Sequence, residues 1–240
     1  MIMKDYNKYF SKKYQSELEA LMQRWDKRAI DWDQNLKDPN HYTNFEKSYE
    51  RTDLFTQKML TQYTDNKNIR SLTAIDLGCG TGESTRKLLR YAGKVWGIDL
   101  SPKMIGIANR KDMDVKFQVE NVLIMNYPTN HFDILISRGI MISHIPYGSQ
   151  EIAIKEIARI AKPGALIVYD YLHDLTTRQE FLNYSAKKAS YDKRGMTKLL
   201  KTCGILGKYI FSGEAHERVN RVAIILDDKK YEKNLFCNDK

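Results

Sequence analysis

Residues 74–84, Ala-Ile-Asp-Leu-Gly-Cys-Gly-Thr-Gly-Glu-Ser, set an apolar run, an acid and three alternating glycines side by side. The run predicts a strand and the glycines a tight turn. Thr81 to Ser84 then open a helix that passes through Arg86, Leu88 and Leu89 and stops at Gly93. Glycine at 78, 80 and 82 lets the backbone turn sharply and brings a ligand against bare N–H groups. A purely structural turn would use the same glycines, so the neighbouring residues decide. A dinucleotide-binding loop would carry a further glycine where Glu83 stands. A phosphate-cradling loop would need Gly-Lys-Ser/Thr, whereas the first lysine after Gly82 is Lys87.

Two further units repeat the strand-then-polar pattern. Gly93-Lys-Val-Trp-Gly-Ile-Asp-Leu-Ser101 predicts a second strand ending in Asp99, where an ionised carboxylate can accept from two vicinal hydroxyls. Ser101-Pro102 caps and starts a helix whose Met104 and Ile105 point back toward the same crevice. Val115 to Val122 alternates as a third strand and ends at Asn121, an amide able to pair with a base edge.

With Phe132-Asp-Ile-Leu-Ile-Ser-Arg138 and Ile157-Ala-Arg-Ile-Ala-Lys-Pro-Gly164, these blocks make the chain resemble a class I S-adenosylmethionine-dependent methyltransferase of the small-molecule type, over about residues 70–172. The resemblance implies a doubly wound, Rossmann-like sheet of seven mostly parallel strands with an antiparallel last strand. It also implies S-adenosylmethionine as cofactor and S-adenosylhomocysteine as product. Carried over residue by residue, Asp76, Gly78, Cys79, Gly80 and Gly82 would lie along the methionine part, with Cys79 serving backbone geometry. Asp99 would hold the ribose hydroxyls, and Leu100 and Met104 would pack on the adenine. Asn121 and the backbone of Val122 would read the adenine edge, and Ser137 would sit near the methionine ammonium. The chain departs from the family at Asn121, where Asp is more usual, and at Arg138, where many relatives carry a small polar residue.

The 240 residues suffice for one such domain with an appendage, and 42% hydrophobic with 29% charged content suits a soluble globular chain. No run has the length of a membrane span and the first residues lack a signal peptide's apolar core, so the expectation is a cytoplasmic protein, monomeric or homodimeric. Three cysteines and five histidines show no metal-type spacing, and no metal is expected. Of the net charge of +9, residues 176–240 carry +6, from 14 Lys and Arg against 8 Asp and Glu. Lys187, Lys188, Lys193 and Arg194, interleaved with Tyr184 and Tyr191, form either a solvated helix face or a nucleic-acid footprint.

Residues 1–70 are lysine-rich, aromatic and helical in pattern, with Leu18, Leu21, Met22 and Trp25 at helix spacing; they read as a cap over the crevice, hinged at Asp38-Pro39-Asn40. Residues 71–240 form the core, with a lid or insertion near 174–194. Trp32, Tyr42, Tyr171 and Tyr191 are candidates for a substrate pocket. Lys162-Pro163-Gly164-Ala165 reads as a turn before a fifth strand, Leu166 to Tyr171.

Transfer from a sulfonium needs mainly an aligned acceptor, and a base only where the acceptor keeps its proton near neutral pH. His144, after the fourth strand, and His173, after the fifth, stand at the strand ends where open α/β sheets bind ligands. His144 is either such a base, or a cap for the next helix, or a donor to a buried carbonyl. Arg138 suits a carboxylate or phosphate on the substrate, or pairs with Asp133 or Glu120, or meets the cofactor's carboxylate. A small-molecule methyltransferase is the leading reading. An RNA or protein methyltransferase and a non-catalytic cofactor-binding protein are the others. No Asn-Pro-Pro-Tyr motif follows the fourth strand and no Pro-Cys dipeptide exists, which weighs against the common routes of base methylation.

Overall fold

The computed structural model describes residues 12–35, 46–111, 114–139, 141–146, 148–173, 190–213 and 219–228. Helices Lys12–Arg28 (α1), Trp32–Asn35 (α2) and Glu46–Thr64 (α3) precede strand Thr73–Leu77 (β1). The glycine turn leads into Glu83–Lys87 (α4), and one 3-10 turn, Leu88–Arg90, closes that unit short of Gly93. Then follow Lys94–Asp99 (β2), Pro102–Lys111 (α5), Lys116–Val119 (β3), Phe132–Ser137 (β4), Met141–His144 (α6) and Gln150–Ile160 (α7). The chain continues through Ala161–His173 (β5), Ser190–Tyr191 (β6), Lys193–Thr202 (α8), Gly207–Ser212 (β7) and Val219–Leu226 (β8).

The sheet order is β3-β2-β1-β4-β5-β8-β7, with the two-residue β6 attached to the end of β5. Strands β1 to β5 pair in parallel, and β8 runs antiparallel to both β5 and β7. This is the seven-stranded, mostly parallel sheet with a reversed last strand that the sequence implied. Crossover helices cover both faces, so the central strands are apolar on both sides. Leu135, Ile167, Tyr169, Val222 and Ile224 pack with Ile154, Ile157, Met196 and Leu200 of α7 and α8. On the other face Ala74, Ile134, Ile136 and Val168 pack with Met59, Leu60 and Tyr63 of α3 and Ile105 and Ala108 of α5. Helix α3 falls within the expected cap in sequence, yet its apolar side makes it a layer of the core.

One local expectation is revised. Lys162-Pro163-Gly164 is a bulge inside β5 rather than a turn before it: Phe132 of β4 pairs with Ala161 and Ile134 with Leu166, and Gly164 takes φ +74° to absorb the extra residues. Residues 174–189 of the expected lid lie outside the described residues. The rest of that stretch is β6 and the start of α8, where Asp192 caps the helix by accepting from Gly195 N–H at 2.6 Å.

Order reverses at β1, which has β2 on one side and β4 on the other. Loops leaving β1 and β4 therefore part in opposite directions, and a crevice opens over the strand ends.

Candidate active site

That crevice holds a cavity of about 280 Å³ lined by the glycine turn, the tips of β2 and β4, and the N-terminal helices. The turn is fixed from below, since Gly78 N–H and Cys79 N–H both donate to the Ile98 carbonyl, at 2.8 and 2.9 Å. Gly80 N–H donates to Asp99 Oδ2 at 3.0 Å, and Ser101 N–H to Asp99 Oδ1 at 2.8 Å. Each Asp99 oxygen thus spends one lone pair on the backbone and keeps another for a ligand. Burial pushes the Asp99 carboxyl up from its ordinary range, against those hydrogen bonds, which favour the anion.

The three glycines differ in what they face. All have positive φ, which a side chain tolerates poorly. A Cβ on Gly80 would meet nothing nearer than Trp32 Nε1 at 3.7 Å, so this position opens on the cavity. A Cβ on Gly82 would fall 2.5 Å from Phe117 Cζ, and Gly82 does not line the cavity. Its glycine serves the packing of Phe117.

Asp76 is buried beside the turn and accepts from Thr85 Oγ at 2.7 Å. Desolvation raises its carboxyl to about 7, the Thr85 bond opposes the rise, and the charges of Asp99 and Asp170 add to it. Cys79 lines the cavity, but burial and then the acidic neighbours Asp76 and Asp99 push its thiol well above the ordinary range. It is a poor nucleophile.

Leu100, Met104, Asn121 and Val122 form the far wall. Asn121 Oδ1 accepts from Leu123 N–H at 3.0 Å, while its buried Nδ2 finds no acceptor among the described residues. Arg159 of α7 braces the segment that follows, donating to the carbonyls of Tyr127 at 2.7 Å and Met125 at 3.1 Å. Glu156 accepts from Met125 N–H at 2.7 Å and from Arg159. Ser137 is buried just beneath the cavity, on a small void shared with Leu77 and Met141.

Leu18, Leu21, Trp25 and Trp32 of α1 and α2 close the crevice from above. Two carboxylates fasten them. Asp26 accepts from Ser101 Oγ and from Lys103 N–H at the start of α5, and Asp33 accepts from Thr81 Oγ at 2.6 Å and pairs with Lys111. Trp25 meets Trp32 and His144 edge to face, each at 5.4 Å between ring centroids.

Of the catalytic candidates, His144 ends α6 and lines the cavity, Arg138 lines it just beyond β4, and His173 ends β5. Arg138 pairs with Asp53 of α3, not with Asp133 or Glu120. Asp133 lies near the opposite end of β4, where Lys162 and Thr73 engage it. Among the pocket candidates Trp32 lines the cavity and Tyr42 lies outside the described residues. Tyr171 is fully buried in the core beside Tyr169, a correction that follows from β5 being covered on both faces. Tyr191 packs on the same core cluster from β6. Lys193, Arg194, Lys198 and Lys201 lie on the exposed side of α8. Sequence reasoning missed Tyr49, Asp53 and Lys87, all on the lining. Among the described residues no cluster of His, Cys, Asp and Glu could hold a metal, and no helix is long and apolar enough to cross a membrane.

A sheet in this order, one reversed strand, and a glycine turn held by an acid at the tip of the neighbouring strand make a Rossmann-like fold. Residues 74–164 match the family described as methyltransferase domain, and that stretch supports the class I S-adenosylmethionine-dependent methyltransferase that the sequence resembles. It is 31% identical over 121 residues to a 2-methyl-6-phytyl-1,4-hydroquinone methyltransferase of Synechocystis, covering 48% of this chain and 36% of the relative. It is 33% identical over 106 residues to a demethylmenaquinone methyltransferase of Bacillus licheniformis, covering 41% and 44%. The matches thus span less than half the length of these relatives. In fold, the magnesium protoporphyrin IX methyltransferase of Synechocystis with bound S-adenosylhomocysteine superposes with a TM-score of 0.69 at 14% identity, over 88% of this chain and all of the other.

Proposed function

We propose that the chain moves the sulfonium methyl of S-adenosylmethionine to an O, N or C centre of a small-molecule metabolite by in-line displacement. The observation that carries this reading is the cavity in which Asp99, Asn121 and the Gly80 face of the turn converge. The cofactor fits it on two counts: Asn121 Nδ2 is a buried donor awaiting an acceptor, and Gly80 leaves the backbone bare where a ligand would lie.

In this reading Asp99 accepts from the ribose hydroxyls, while Leu100, Met104 and Val122 enclose the adenine and Asn121 donates to its edge. Asp76, kept close to neutral by burial, ionises against the methionine ammonium. The bound cofactor supplies an electrophilic methyl; the protein supplies alignment and dryness. Leu18, Leu21, Trp25 and Trp32 exclude water from above, and His144, on the lining, would take a proton from an acceptor such as a phenol. The hydroquinone and demethylmenaquinone named for the relatives support an aromatic or amphiphilic acceptor, which suits the apolar part of the walls, made of Trp, Leu, Met and Ile. Incubation of the protein with methyl-labelled S-adenosylmethionine and a panel of hydroquinones, phenols and amines tests the proposal. Label should appear in an organic product. A protein that binds S-adenosylhomocysteine yet labels no acceptor would overturn the catalytic reading.

A further inference from the structure

One lobe of the cavity differs in character from the rest. Tyr49 and Asp53 of α3, Glu83 and Lys87 of α4, and Arg138 after β4 line it. Asp53 faces two cations there: Arg138 Nη1 pairs with Oδ1, and Lys87 Nζ lies 3.0 Å from Oδ2. Glu83 is 67% exposed and lies 3.8 Å from Arg86 on its own helix. Asp170, behind the lobe, accepts from Gly139 N–H at 3.1 Å and Thr52 Oγ at 3.4 Å, and stands opposite Arg221 in the sheet. Two cations, Arg138 and Lys87, thus meet the cavity on either side of one carboxylate, Asp53. Burial disfavours the Arg138 charge, and Asp170 works against that effect. The Arg138 Nε–H is buried and has no acceptor among the described residues. A donor left in that state is destabilising unless a ligand supplies the missing oxygen.

We propose that this lobe binds a carboxylate of the ligand, held by the Nε edge of Arg138 together with Lys87 while Asp53 remains as their counter-ion. The inference rests on the adenosine pocket proposed above. The guanidinium is a planar fork that matches a carboxylate, and with Nη1 committed to Asp53 the Nε edge is left for the incoming group. Asp53 holds both cations in position, so the ligand meets them already arranged. The carboxylate has two candidate sources, the amino-acid end of the cofactor and a carboxylate on the acceptor.

Calorimetric titration separates them. The whole protein is titrated with S-adenosylhomocysteine, with 5′-methylthioadenosine, which has the adenosine but no carboxylate, and with millimolar benzoate after saturation with S-adenosylhomocysteine. Wild type is compared with Lys87→Gln, a partly exposed site, and with the double variant Arg138→Gln/Asp53→Asn, which removes the pair together and strands no buried charge. A loss of about tenfold or more in S-adenosylhomocysteine affinity, with 5′-methylthioadenosine unchanged, supports the lobe and assigns it to the cofactor. Unchanged S-adenosylhomocysteine affinity with loss of benzoate binding supports it and assigns it to the acceptor. If 5′-methylthioadenosine binds and neither of the other affinities depends on these residues, the lobe is not a carboxylate site. If 5′-methylthioadenosine fails to bind the wild type, the adenosine pocket itself is refuted, and this inference with it.

Discussion

Alanine at Gly80 and at Gly82 should separate the two duties of the glycine turn. Both positions take left-handed φ, +55° and +82°, so either alanine carries a backbone cost of about 1–2 kcal/mol. At Gly80 little is added, because the nearest atom to a new Cβ is 3.7 Å away. At Gly82 the Cβ would lie 2.5 Å from Phe117 Cζ and 2.9 Å from Cε1. The ring cannot retreat: a Cβ on Gly97 would already be 2.6 Å from Phe117 Cδ1, so Phe117 is held between two glycine backbones. Overpacking of that kind adds about 1–3 kcal/mol, for a total near 3 kcal/mol at Gly82 against about 1 kcal/mol at Gly80. For a chain of this size these losses correspond to midpoints lower by about 9 °C and 3 °C. Urea and thermal unfolding would measure both, and Phe117→Leu should recover part of the Gly82→Ala loss. Ligand affinity should move the other way. Gly80→Ala should weaken S-adenosylhomocysteine strongly because its Cβ enters the cavity, while folded Gly82→Ala stays close to wild type. Equal stability losses at the two glycines, or an intact affinity in Gly80→Ala, would refute this division of roles.

Two further outcomes follow from the site. Asp76 has a folded-state carboxyl near 7 against an ordinary value of 3.8, so the folded chain binds a proton that the unfolded chain has released across that window. Its contribution to stability must fall as pH rises from about 4 to 7, and Asp76→Asn should flatten this trend in urea midpoints measured at pH 5 and 8. Arg159→Met should cost about 1–2 kcal/mol and weaken cofactor affinity without touching the ligand, by freeing the carbonyls of Met125 and Tyr127 that it braces; hydrogen exchange would report the segment loosening.

Local chemistry was readable in advance and tertiary placement was not. The turn at 78–82, the acid at the end of β2 and the Ser101 cap each depend on a few neighbouring residues, and each stands where spacing put it: Ser101 Oγ accepts from Met104 N–H at 3.1 Å. Arg138 had two acids in view along its own stretch of chain, but its partner Asp53 comes from α3, brought in by packing Met59, Leu60 and Tyr63 onto the far face of the sheet. Nothing in the period of α3 marks Tyr49 and Asp53 as lining a cavity rather than facing water. Tyr171 misled for a related reason. Position at a strand end suggests a binding edge, but pairing with β6 and β8 on either side prolongs β5 and buries the ring. The bulge at Lys162-Pro163-Gly164 resembles a turn in any local reading, because only the register with β4 distinguishes the two.

The central claim is that Asp99, presented by β2 to a glycine turn, holds the ribose of S-adenosylmethionine. Calorimetric titration with S-adenosylmethionine and S-adenosylhomocysteine, wild type beside Asp99→Ala, tests it most directly. Micromolar binding by the wild type, reduced about a hundredfold in a variant that remains folded, is the predicted result, since two hydrogen bonds to a charged group are lost. Equal affinity in the two proteins, or no binding by folded wild type, would contradict it.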